Sequence, residues 1–396
     1  MLEFSDARTQ ILQAALRLER ESVLLADAAG RVLAEPLFAS APLPGFDYSA
    51  MDGYALRSAD VNGSPPWELP VAGECRAGDT PGPLGLGQAM RIFTGAALPA
   101  GADAVLIQED VTREGDAIHF TSRVEAGANV RHAGEDLPAG ALGLKSGTRL
   151  GPFQLGLAAA LDRARLFVSK RPRVIIVPTG NELRAPGSAP RPGSVPESNG
   201  VALTALCRQA GAEAQLATHL SDDPASTTLA FRALLANCDL LVTVGGVSVG
   251  DHDIVRPALV AAGAELGFWK VAIKPGKPLV FGRADRTLIL GLPGNPVSAQ
   301  LTFALFGVPL LRALQGDEKP LPLSTRVVLA HAVTQKPGRL GIYRARLDGQ
   351  QARLHDNQAS GSTLSLAHAD ALVFVPKETA TCPAGSELEA VRLAEL

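Results

Sequence analysis

Hydrophobic positions in the middle of the chain alternate between two spacings. Short apolar runs rich in β-branched residues predict strands, because they are too short for buried helices and suit a sheet covered on both faces. Between these runs, apolar residues recur every three or four positions, which predicts helices. The predicted elements are a strand at 173–177, a helix at 199–211, a strand at 214–219, a helix at 224–236, a strand at 239–244, a helix at 253–263, a strand at 286–290 and a helix at 297–314. This order favours a three-layer α/β domain with a mostly parallel sheet.

The flanking segments have different patterns. Near the amino end, Asp6 can cap an amphipathic helix whose apolar face extends to Leu16 and Leu18. Residues 47–137 contain short β-like runs separated by Gly and Pro, which indicates a small all-β domain. A short apolar helix at 153–161 is expected to pack against the first helix. Beyond Pro320, short period-two runs predict a compact, barrel-like β domain.

The sequence therefore predicts a multidomain α/β plus β protein. A small discontinuous helical and β linker domain comprises residues 1–42 and 138–170, and an inserted β domain occupies 43–137. The central α/β domain spans 171–318, and the C-terminal β domain spans 319–396. A chain of 396 residues is long enough for several domains with their own cores.

Composition narrows the classes of partner. The net charge of −3 and the lack of a basic run argue against nucleic acid, although small anions remain possible. The four cysteines are far apart and form no CxxC pair, so neither a thiolate zinc site nor a disulfide framework is expected. No apolar stretch reaches the ~20 residues of a membrane span. The polar start does not resemble a secretory signal. These features predict a cytoplasmic protein with no membrane partner.

Glycine-rich loops follow three of the predicted strands. The strand at 239–244 is followed by Gly245, Gly246, Ser248 and Gly250, which permit positive φ angles and close backbone approach to an anion. The first strand leads to Thr179, Gly180 and Glu182. The last strand leads to Pro293, Gly294, Asn295 and Pro296, and Pro296 fits the first turn of a helix whose amides would be free. Ligands of open α/β sheets collect at such strand ends.

Three lysines lie between these loops in the sequence. They are Lys270, Lys274 and Lys277, and strand alternation would place Lys270 and Lys274 on one face. Together with the loops, they predict a phosphate-sized pocket with carboxylates nearby. The loops contain no GxxxxGK[ST], and no GxGxxG follows the first strand, so P-loop and dinucleotide-binding interpretations lose their support. Asp251, His252 and Asp253 could suggest a local metal triad, but so short a span cannot easily direct all three inward.

Seven motifs occur in a characteristic order along the chain. They are SAMDGYA, RIFTGA, GED, PTGNEL, GGVSVGDHD, WKVAIKPGKP and GLPGNPVSA. Together they closely resemble the MoeA family of molybdopterin molybdenumtransferases, whose eukaryotic relatives include the E domain of gephyrin. The resemblance extends from the first helix to SGSTLSLAHADALVFVP in the C-terminal domain.

The resemblance implies the last step of molybdenum cofactor synthesis. Adenylylated molybdopterin would be hydrolysed with Mg²⁺ while molybdate is transferred to the dithiolene, releasing AMP and the cofactor. The resemblance also implies a homodimer, in which the inserted β domain of one subunit faces the central domain of the other. Expected partners are a molybdopterin adenylyltransferase upstream and molybdoenzymes or cofactor carriers downstream.

The resemblance also implies roles for individual residues. The expected catalytic residues are Asp52, Thr94, Asp136, Glu182, Asp222, Lys270 and Lys274. The expected substrate-binding residues are Thr179, Gly180, Gly245, Gly246, Ser248, Gly250, Lys277, Pro293, Gly294, Asn295 and Pro296. Asp253 and Glu182 are the expected Mg²⁺ ligands, since this ion prefers carboxylate and water oxygens. Asn181 stands where the family commonly has aspartate, which would weaken Mg²⁺ binding.

Two other functions are compatible with parts of the pattern. The protein could adenylylate molybdopterin, because the central domain resembles the domain that performs this reaction. It could also bind molybdopterin as a scaffold without turnover. The acidic and β-domain motifs favour insertion over adenylylation, and the intact acids and lysines favour an enzyme over a scaffold. Arg339 and Arg344 are left outside the predicted site.

Overall fold

The chain combines α/β and all-β regions, as the sequence predicts. The structure is a computed structural model that describes residues 1–218, 220, 223–246 and 254–396, with the backbone alone at 269. In this part of the chain, three six-stranded sheets are accompanied by several two-stranded ones. The first of the large sheets belongs to the inserted region, the second to the central region and the third to the C-terminal region.

Five strands of the central sheet run in one direction and one runs in the opposite direction. In spatial order its strands are Glu213–Leu216, Arg173–Pro178, Leu240–Val244, Thr287–Leu292, Pro278–Ala284 and Glu265–Lys270. The first three pairings are parallel and the last two are antiparallel. The prediction of a mostly parallel sheet is confirmed, but the antiparallel strands were not predicted.

The strand Leu240–Val244 is buried on both faces of this sheet. Leu240, Val242 and Val244 pack into one core, whereas Leu241 packs into another. Successive strand residues point to opposite faces, so a continuous apolar run is what a doubly covered strand requires. The helices Asn199–Gln209, Pro296–Thr302 and Val308–Leu314 cover one face, and Pro224–Leu235 and Val255–Ala261 cover the other.

The last helical segment of the central region runs from Pro296 to Leu314 with a π-helical turn at Phe303–Gly307. A Cβ on Gly307 would lie 2.4 Å from the Phe303 ring, so glycine lets this turn close. Pro309 lies two residues after Gly307 and cannot donate a helical hydrogen bond. The 19-residue segment is apolar enough to span a membrane, with a mean hydropathy of 1.5, but 83% of it is buried inside the protein. It is therefore packed as a core helix.

The first helix differs from its predicted position. It spans Phe4–Gln13 and its N-cap is Glu3, so Asp6 lies in the first turn. A carboxylate at this position still stabilises the helix through its interaction with the helix dipole. Leu16 lies beyond the helix and is 73% exposed. Ala7 and Ile11 pack into the central core against the helix Val308–Leu314.

The second short helix packs elsewhere. Pro152–Ala160 contacts the 3₁₀ turn Leu25–Asp27, so the expectation that it packs against the first helix was wrong. The physical reason is that the buried face of the first helix is taken by the central domain. Instead, paired strands join the segments before and after the inserted region. Arg20–Leu24 pairs with Arg165–Ser169, and Leu37–Phe38 pairs with Leu142–Leu144.

The inserted region is built from strands, as predicted. Its large sheet has the spatial order Ala104–Ile107, Gly53–Leu56, Ala89–Ile92, Trp67–Cys75, Ala117–Phe120 and Val111–Glu114. The strands Tyr48–Ser49 and Val130–Arg131 form a small additional sheet. Both chain ends of the insertion therefore lie next to each other.

The C-terminal region closes into a five-stranded barrel. Its strands are Leu340–Asp348, Gln351–Leu354, Ser324–Leu329, Glu387–Arg392 and Ala371–Val375, and the last pairs back to the first. The short helix Thr363–Ala367 precedes the strand Ala371–Val375. The strand Ile273–Lys274 of the central region pairs with Leu340–Gly341, which fastens the barrel to the central domain.

Candidate functional site

A cavity of about 410 Å³ lies at the carboxyl ends of the parallel strands. We name it the strand-end cavity. Three of the predicted loops meet in its wall. They contribute Thr179, Gly180 and Glu182 from the first loop, Gly245 and Gly246 from the second, and Pro293, Gly294 and Asn295 from the third. The structure thus brings together loops that are more than a hundred residues apart at the extremes.

Gly245 and Gly246 allow two of the loops to approach closely. Their φ angles are +92° and +60°, a region that side chains rarely adopt. A Cβ on Gly245 would lie 2.9 Å from the Thr179 carbonyl oxygen, and a Cβ on Gly246 would lie 2.2 Å from Cγ2 of Val255. Both positions therefore require glycine for the packing of the cavity wall.

The backbone amides near this turn are partly committed to the fold. The Gly245 N–H donates to the Leu292 carbonyl at 3.0 Å, so it is not available for an anion. The Val297 N–H donates to the Ser360 carbonyl at 3.0 Å. The expectation of a free helix terminus after Pro296 was therefore wrong at this amide, because the C-terminal domain reaches the helix start.

Thr179 holds the first two loops together. Its N–H and its hydroxyl both donate to the Val244 carbonyl, at 2.9 and 3.1 Å. The hydroxyl proton is thus used within the protein, and only the oxygen lone pairs remain for a ligand. Thr179 is buried in the cavity wall. It fixes the path of the chain through Gly180 toward Glu182.

Glu182 supplies an exposed carboxylate to the strand-end cavity. A Cβ on Gly180 would lie 2.4 Å from this carboxylate, so Gly180 provides the space that the side chain occupies. Carboxylate, hydroxyl and carbonyl oxygens are the donors that Mg²⁺ takes, and Glu182 and Thr179 supply donors of this kind. In the described ranges, no group of three His, Cys, Asp or Glu side chains could hold a metal ion. The second predicted ligand, Asp253, lies outside the described residues, as do Asp222, Ser248 and Gly250.

The three lysines do not line the strand-end cavity. Lys270 ends the strand Glu265–Lys270, whereas Lys274 belongs to the separate strand Ile273–Lys274. The expectation that continuous strand alternation relates these two lysines was therefore wrong. Lys277 directly precedes Pro278, which does line the cavity. No ion pair between described residues involves any of the three.

The acidic residues of the inserted domain lie apart from the cavity of their own chain. Oδ1 of Asp52 accepts hydrogen bonds from the Thr94 N–H and the Thr94 hydroxyl, both at 2.8 Å. These two bonds, first the backbone and then the hydroxyl, hold the pKa of Asp52 below its usual 3.8. Asp136 is exposed, and its N–H donates to the Leu43 carbonyl at 3.1 Å. The structure therefore pairs Asp52 with Thr94, and neither residue lines this cavity.

The sequence analysis did not predict two of the residues that line the cavity wall. Glu197 and Asn199 line the strand-end cavity, and each is 8% exposed. They occupy the start of the helix Asn199–Gln209, where polar residues ordinarily serve as caps. They reach the wall because the preceding short strand, Val195–Pro196, pairs with Leu183–Arg184 beside Glu182, a contact that the sequence alone does not reveal.

Arg344 is also more constrained than the sequence indicated. It is fully buried, and its Nε donates to Ser365 Oγ at 3.0 Å. Its Nη2 donates to the carbonyls of Asn357 and Ala359 at 3.0 and 3.1 Å. Burial lowers the pKa of Arg344 to about 10. The guanidinium thus ties the segment before the helix Thr363–Ala367 to the barrel.

Comparison with known proteins places this geometry in a family. Family models match the MoeA N-terminal region (domain I and II) at residues 2–161, a probable molybdopterin binding domain at 175–313 and the MoeA C-terminal region (domain IV) at 326–393. Molybdopterin molybdenumtransferase 2 of Mycobacterium tuberculosis is 37% identical over 382 residues, covering 93% of this chain and 94% of that protein. The chain belongs to the MoeA family.

Other MoeA relatives agree over most of the chain. The molybdopterin molybdenumtransferase of Haemophilus influenzae is 38% identical over 326 residues, covering 81% of this chain and 79% of that protein. The structure of the MoeA molybdopterin biosynthesis protein of Pyrococcus horikoshii matches with a TM-score of 0.85 at 31% identity, covering 99% of both chains. The MoeA resemblance seen in the motifs is confirmed, and so is the mixed α/β and β fold.

Proposed function

We propose that this chain inserts molybdate into adenylylated molybdopterin, with Mg²⁺-dependent hydrolysis that releases AMP and molybdenum cofactor. The observation that supports this most directly is the strand-end cavity, whose wall is formed by the MoeA motifs at the carboxyl ends of parallel strands. The relatives of this chain are named for molybdenum transfer. The proposal assigns the same class of reaction to this protein.

The reaction breaks the bond between the molybdopterin phosphate and AMP. A water oxygen attacks the molybdopterin phosphorus and releases a proton, the phosphoanhydride P–O bond breaks, and AMP departs with the electron pair of that bond. The two dithiolene thiols then bind molybdenum and give their protons to one molybdate oxygen, which leaves as water. Mg²⁺, when bound by Glu182 together with Asp253, would neutralise charge on the phosphate oxygens. Lys277, adjacent to the cavity-lining Pro278, would pair with phosphate or molybdate oxygens. Lys270 and Lys274 would add positive charge on the approach from the barrel side.

We further propose that the working enzyme is a homodimer with a shared site. Asp52 and Thr94 are hydrogen-bonded to each other and do not line the cavity of their own chain. Together with Asp136, they would complete the strand-end cavity of the partner. A carboxylate whose pKa is held low by two hydrogen bonds stays ionised and can orient water there.

The proposed setting is the cytoplasm, between an adenylyltransferase that supplies the substrate and proteins that receive the cofactor. All four cysteines are free and buried in the structure, which suits a reducing compartment. The cofactor product is anionic and reactive, so a direct transfer to molybdoenzymes or carriers would protect it. These partners are part of the proposal and follow from the chemistry of substrate and product.

The deciding experiment supplies the purified protein with one of two substrate pairs. Adenylylated molybdopterin and molybdate should be consumed, with release of AMP that depends on Mg²⁺. Consumption of molybdopterin and ATP instead would assign the protein as an adenylyltransferase. Consumption of neither pair, with retained binding, would assign it as a scaffold. An Asp253→Ala variant with undiminished AMP release would contradict the metal assignment.

A further inference from the structure

Two oxygen atoms in the wall of the strand-end cavity have no hydrogen-bond donor. They are Oε2 of Glu197 and Oδ1 of Asn199, and both are buried. Buried polar atoms in native proteins are almost always paired, and an unpaired carboxylate oxygen is especially costly. Because both side chains line the cavity, the missing donors are best supplied by a bound molecule.

Each of these side chains is held in place by its other polar atom. Oε1 of Glu197 accepts the Gly200 N–H at 2.7 Å. Nδ2 of Asn199 donates to the Gly294 carbonyl at 2.9 Å. The two bonds fix the orientation of both groups and leave Oε2 and Oδ1 as acceptors without a partner in the protein.

Gly200 provides the space for this arrangement. A Cβ at this position would lie 2.9 Å from Oε2 of Glu197 and 2.3 Å from Cδ1 of Leu216. A larger residue would push the carboxylate out of place. The free oxygen is therefore a consequence of the local packing and not of a loosely held side chain.

The charge of the cavity wall restricts what can bind against these atoms. In the described part of the wall, the ionisable side chains are those of Glu182 and Glu197, and no lysine, arginine or histidine is present. A phosphate or molybdate oxygen placed against Glu197 would face a like charge. A neutral group with adjacent N–H donors would satisfy both acceptors without that repulsion.

We propose that Glu197 and Asn199 bind the aminopyrimidinone edge of the pterin ring. This edge carries a ring N–H and an exocyclic amino group side by side, one donor for each of the two acceptors. The inference rests on the proposed function and specifies how its substrate is oriented, with the ring against Glu197 and the anionic groups toward the lysines. A site with buried acceptors strongly rejects an analogue that lacks the matching donors.

The test compares a pterin with the lumazine that has the same 6-substituent. In lumazine an oxygen replaces the amino group, so one donor becomes an acceptor facing Glu197. We expect the unaltered protein to bind the pterin about ten-fold or more tightly than the lumazine. A side chain that forms matched hydrogen bonds with the edge of a nucleobase discriminates against the wrong base by a similar factor. Isothermal titration gives both dissociation constants. Equal affinities, or no binding of the pterin at millimolar concentration, would overturn the inference.

A Glu197→Gln variant tests the named residue. Glutamine retains an oxygen for the Gly200 N–H but places an amide at the free position, so the preference for pterin should fall to within about three-fold. Glu213→Gln, an exposed change at the opposite end of the central sheet, should leave the preference intact. An unchanged preference in Glu197→Gln would overturn the inference.

Two further measurements distinguish the ways in which the inference could fail. Mg²⁺ titration of both variants asks whether Glu197 is instead a metal ligand. If Glu197→Gln lost Mg²⁺ binding but still bound pterin more tightly than lumazine, the inference would be overturned. AMP release from adenylylated molybdopterin by the unaltered protein tests the proposed function by itself. If the protein released AMP but bound pterin and lumazine equally well, only the role of Glu197 and Asn199 would be refuted.

Discussion

The ionisation of Asp52 is controlled by hydrogen bonds from a neighbouring residue. The Thr94 N–H and hydroxyl both donate to one carboxylate oxygen, and both lower the pKa of Asp52. A group whose folded pKa is depressed stabilises the protein above its unfolded pKa and loses that contribution as pH falls through the folded value. Asp52 is therefore ionised throughout the neutral range, and its contribution disappears only below about pH 4.

We predict that Thr94→Val raises the pKa of Asp52 without restoring its ordinary value. Valine removes the hydroxyl donor but keeps the backbone N–H, which is the larger cause of the shift. A carbon-detected NMR titration of the Asp52 carboxyl measures this directly. Thr112→Val, an exposed change on the far edge strand of the same sheet, is the matched control and should leave the titration unchanged. A Thr94→Val titration identical to that of the unaltered protein would refute the role of the hydroxyl.

Asn181 lies between Gly180 and Glu182, at a position where the resemblance to the MoeA family implies aspartate. We predict that Asn181→Asp increases Mg²⁺ affinity, because a second carboxylate next to Glu182 adds negative charge to the edge of the cavity. The Mg²⁺ concentration that gives half-maximal AMP release should fall. An unchanged Mg²⁺ dependence would show that this position does not influence the metal.

Single residues also explain what sequence reasoning could not find. The polar character of Glu197 and Asn199 is evident from the sequence, but their role depends on tertiary contacts. Asn199 is fixed by Gly294, which lies 95 residues further along the chain. The three glycine-rich loops were recognisable because each directly follows an apolar run, so local pattern and position in the sheet coincide.

At the scale of elements, predictions succeeded where the apolar residues of a segment follow a single regular spacing. The strand Leu240–Val244 and the helix Asn199–Gln209 fall within two residues of their predicted bounds. The antiparallel strands Glu265–Lys270 and Pro278–Ala284 were missed because glycines interrupt their apolar pattern. A Cβ on Gly282 would lie 2.4 Å from the Glu265 carbonyl oxygen, so this glycine marks close strand approach and not a break.

The turn from the strand Leu240–Val244 toward the helix Val255–Ala261 provides a test of loop packing. We predict that Gly246→Ala lowers the free energy of unfolding by about 3 kcal/mol, combining an unfavourable φ with overpacking against Val255. Gly263→Ala is the matched control, since its φ is +100° but nothing lies within 4 Å of the added Cβ. It should cost only about 1 kcal/mol.

Urea unfolding followed by circular dichroism compares these two variants. The difference between them isolates the contact with Val255 from the backbone strain that both share. If Gly246→Ala were no worse than Gly263→Ala, the close packing of this loop against the helix would be contradicted.

The attachment of the helix Thr363–Ala367 depends on Arg344. We predict that Arg344→Met destabilises the C-terminal domain by about 3 kcal/mol, because Ser365 and two carbonyls lose a buried donor. Arg346→Met, two residues along the same strand and exposed, should cost less than about 1 kcal/mol. Hydrogen exchange should show faster amide exchange in residues 357–365 of Arg344→Met only. Equal exchange in the two variants would refute this attachment.

At the scale of the whole molecule, the domains are joined in two different ways. The barrel is fastened directly to the central domain by the pairing of Ile273–Lys274 with Leu340–Gly341 and by the bond from Val297 to Ser360. Among the residues that the structure describes, the inserted β domain is connected to the rest of the chain through paired segments of the linker domain. The barrel therefore contacts the helix that follows the cavity-lining Asn295, whereas Asp52, Thr94 and Asp136 do not line the cavity of their own chain.

Mixing two inactive variants tests whether the site is shared between subunits. We predict that Asp52→Ala and Glu182→Ala are each inactive but regain activity when co-expressed with different tags. In a mixed dimer with shared sites, one site receives both substitutions and the other receives neither. Random pairing makes about half of the dimers mixed, so total activity should recover to about a quarter of the unaltered value. If each site were formed by one chain, every site would retain one defect and no activity would return. Asp52→Ala mixed with Thr94→Ala is the matched control, because both changes lie in the inserted domain and no intact site can form in either arrangement.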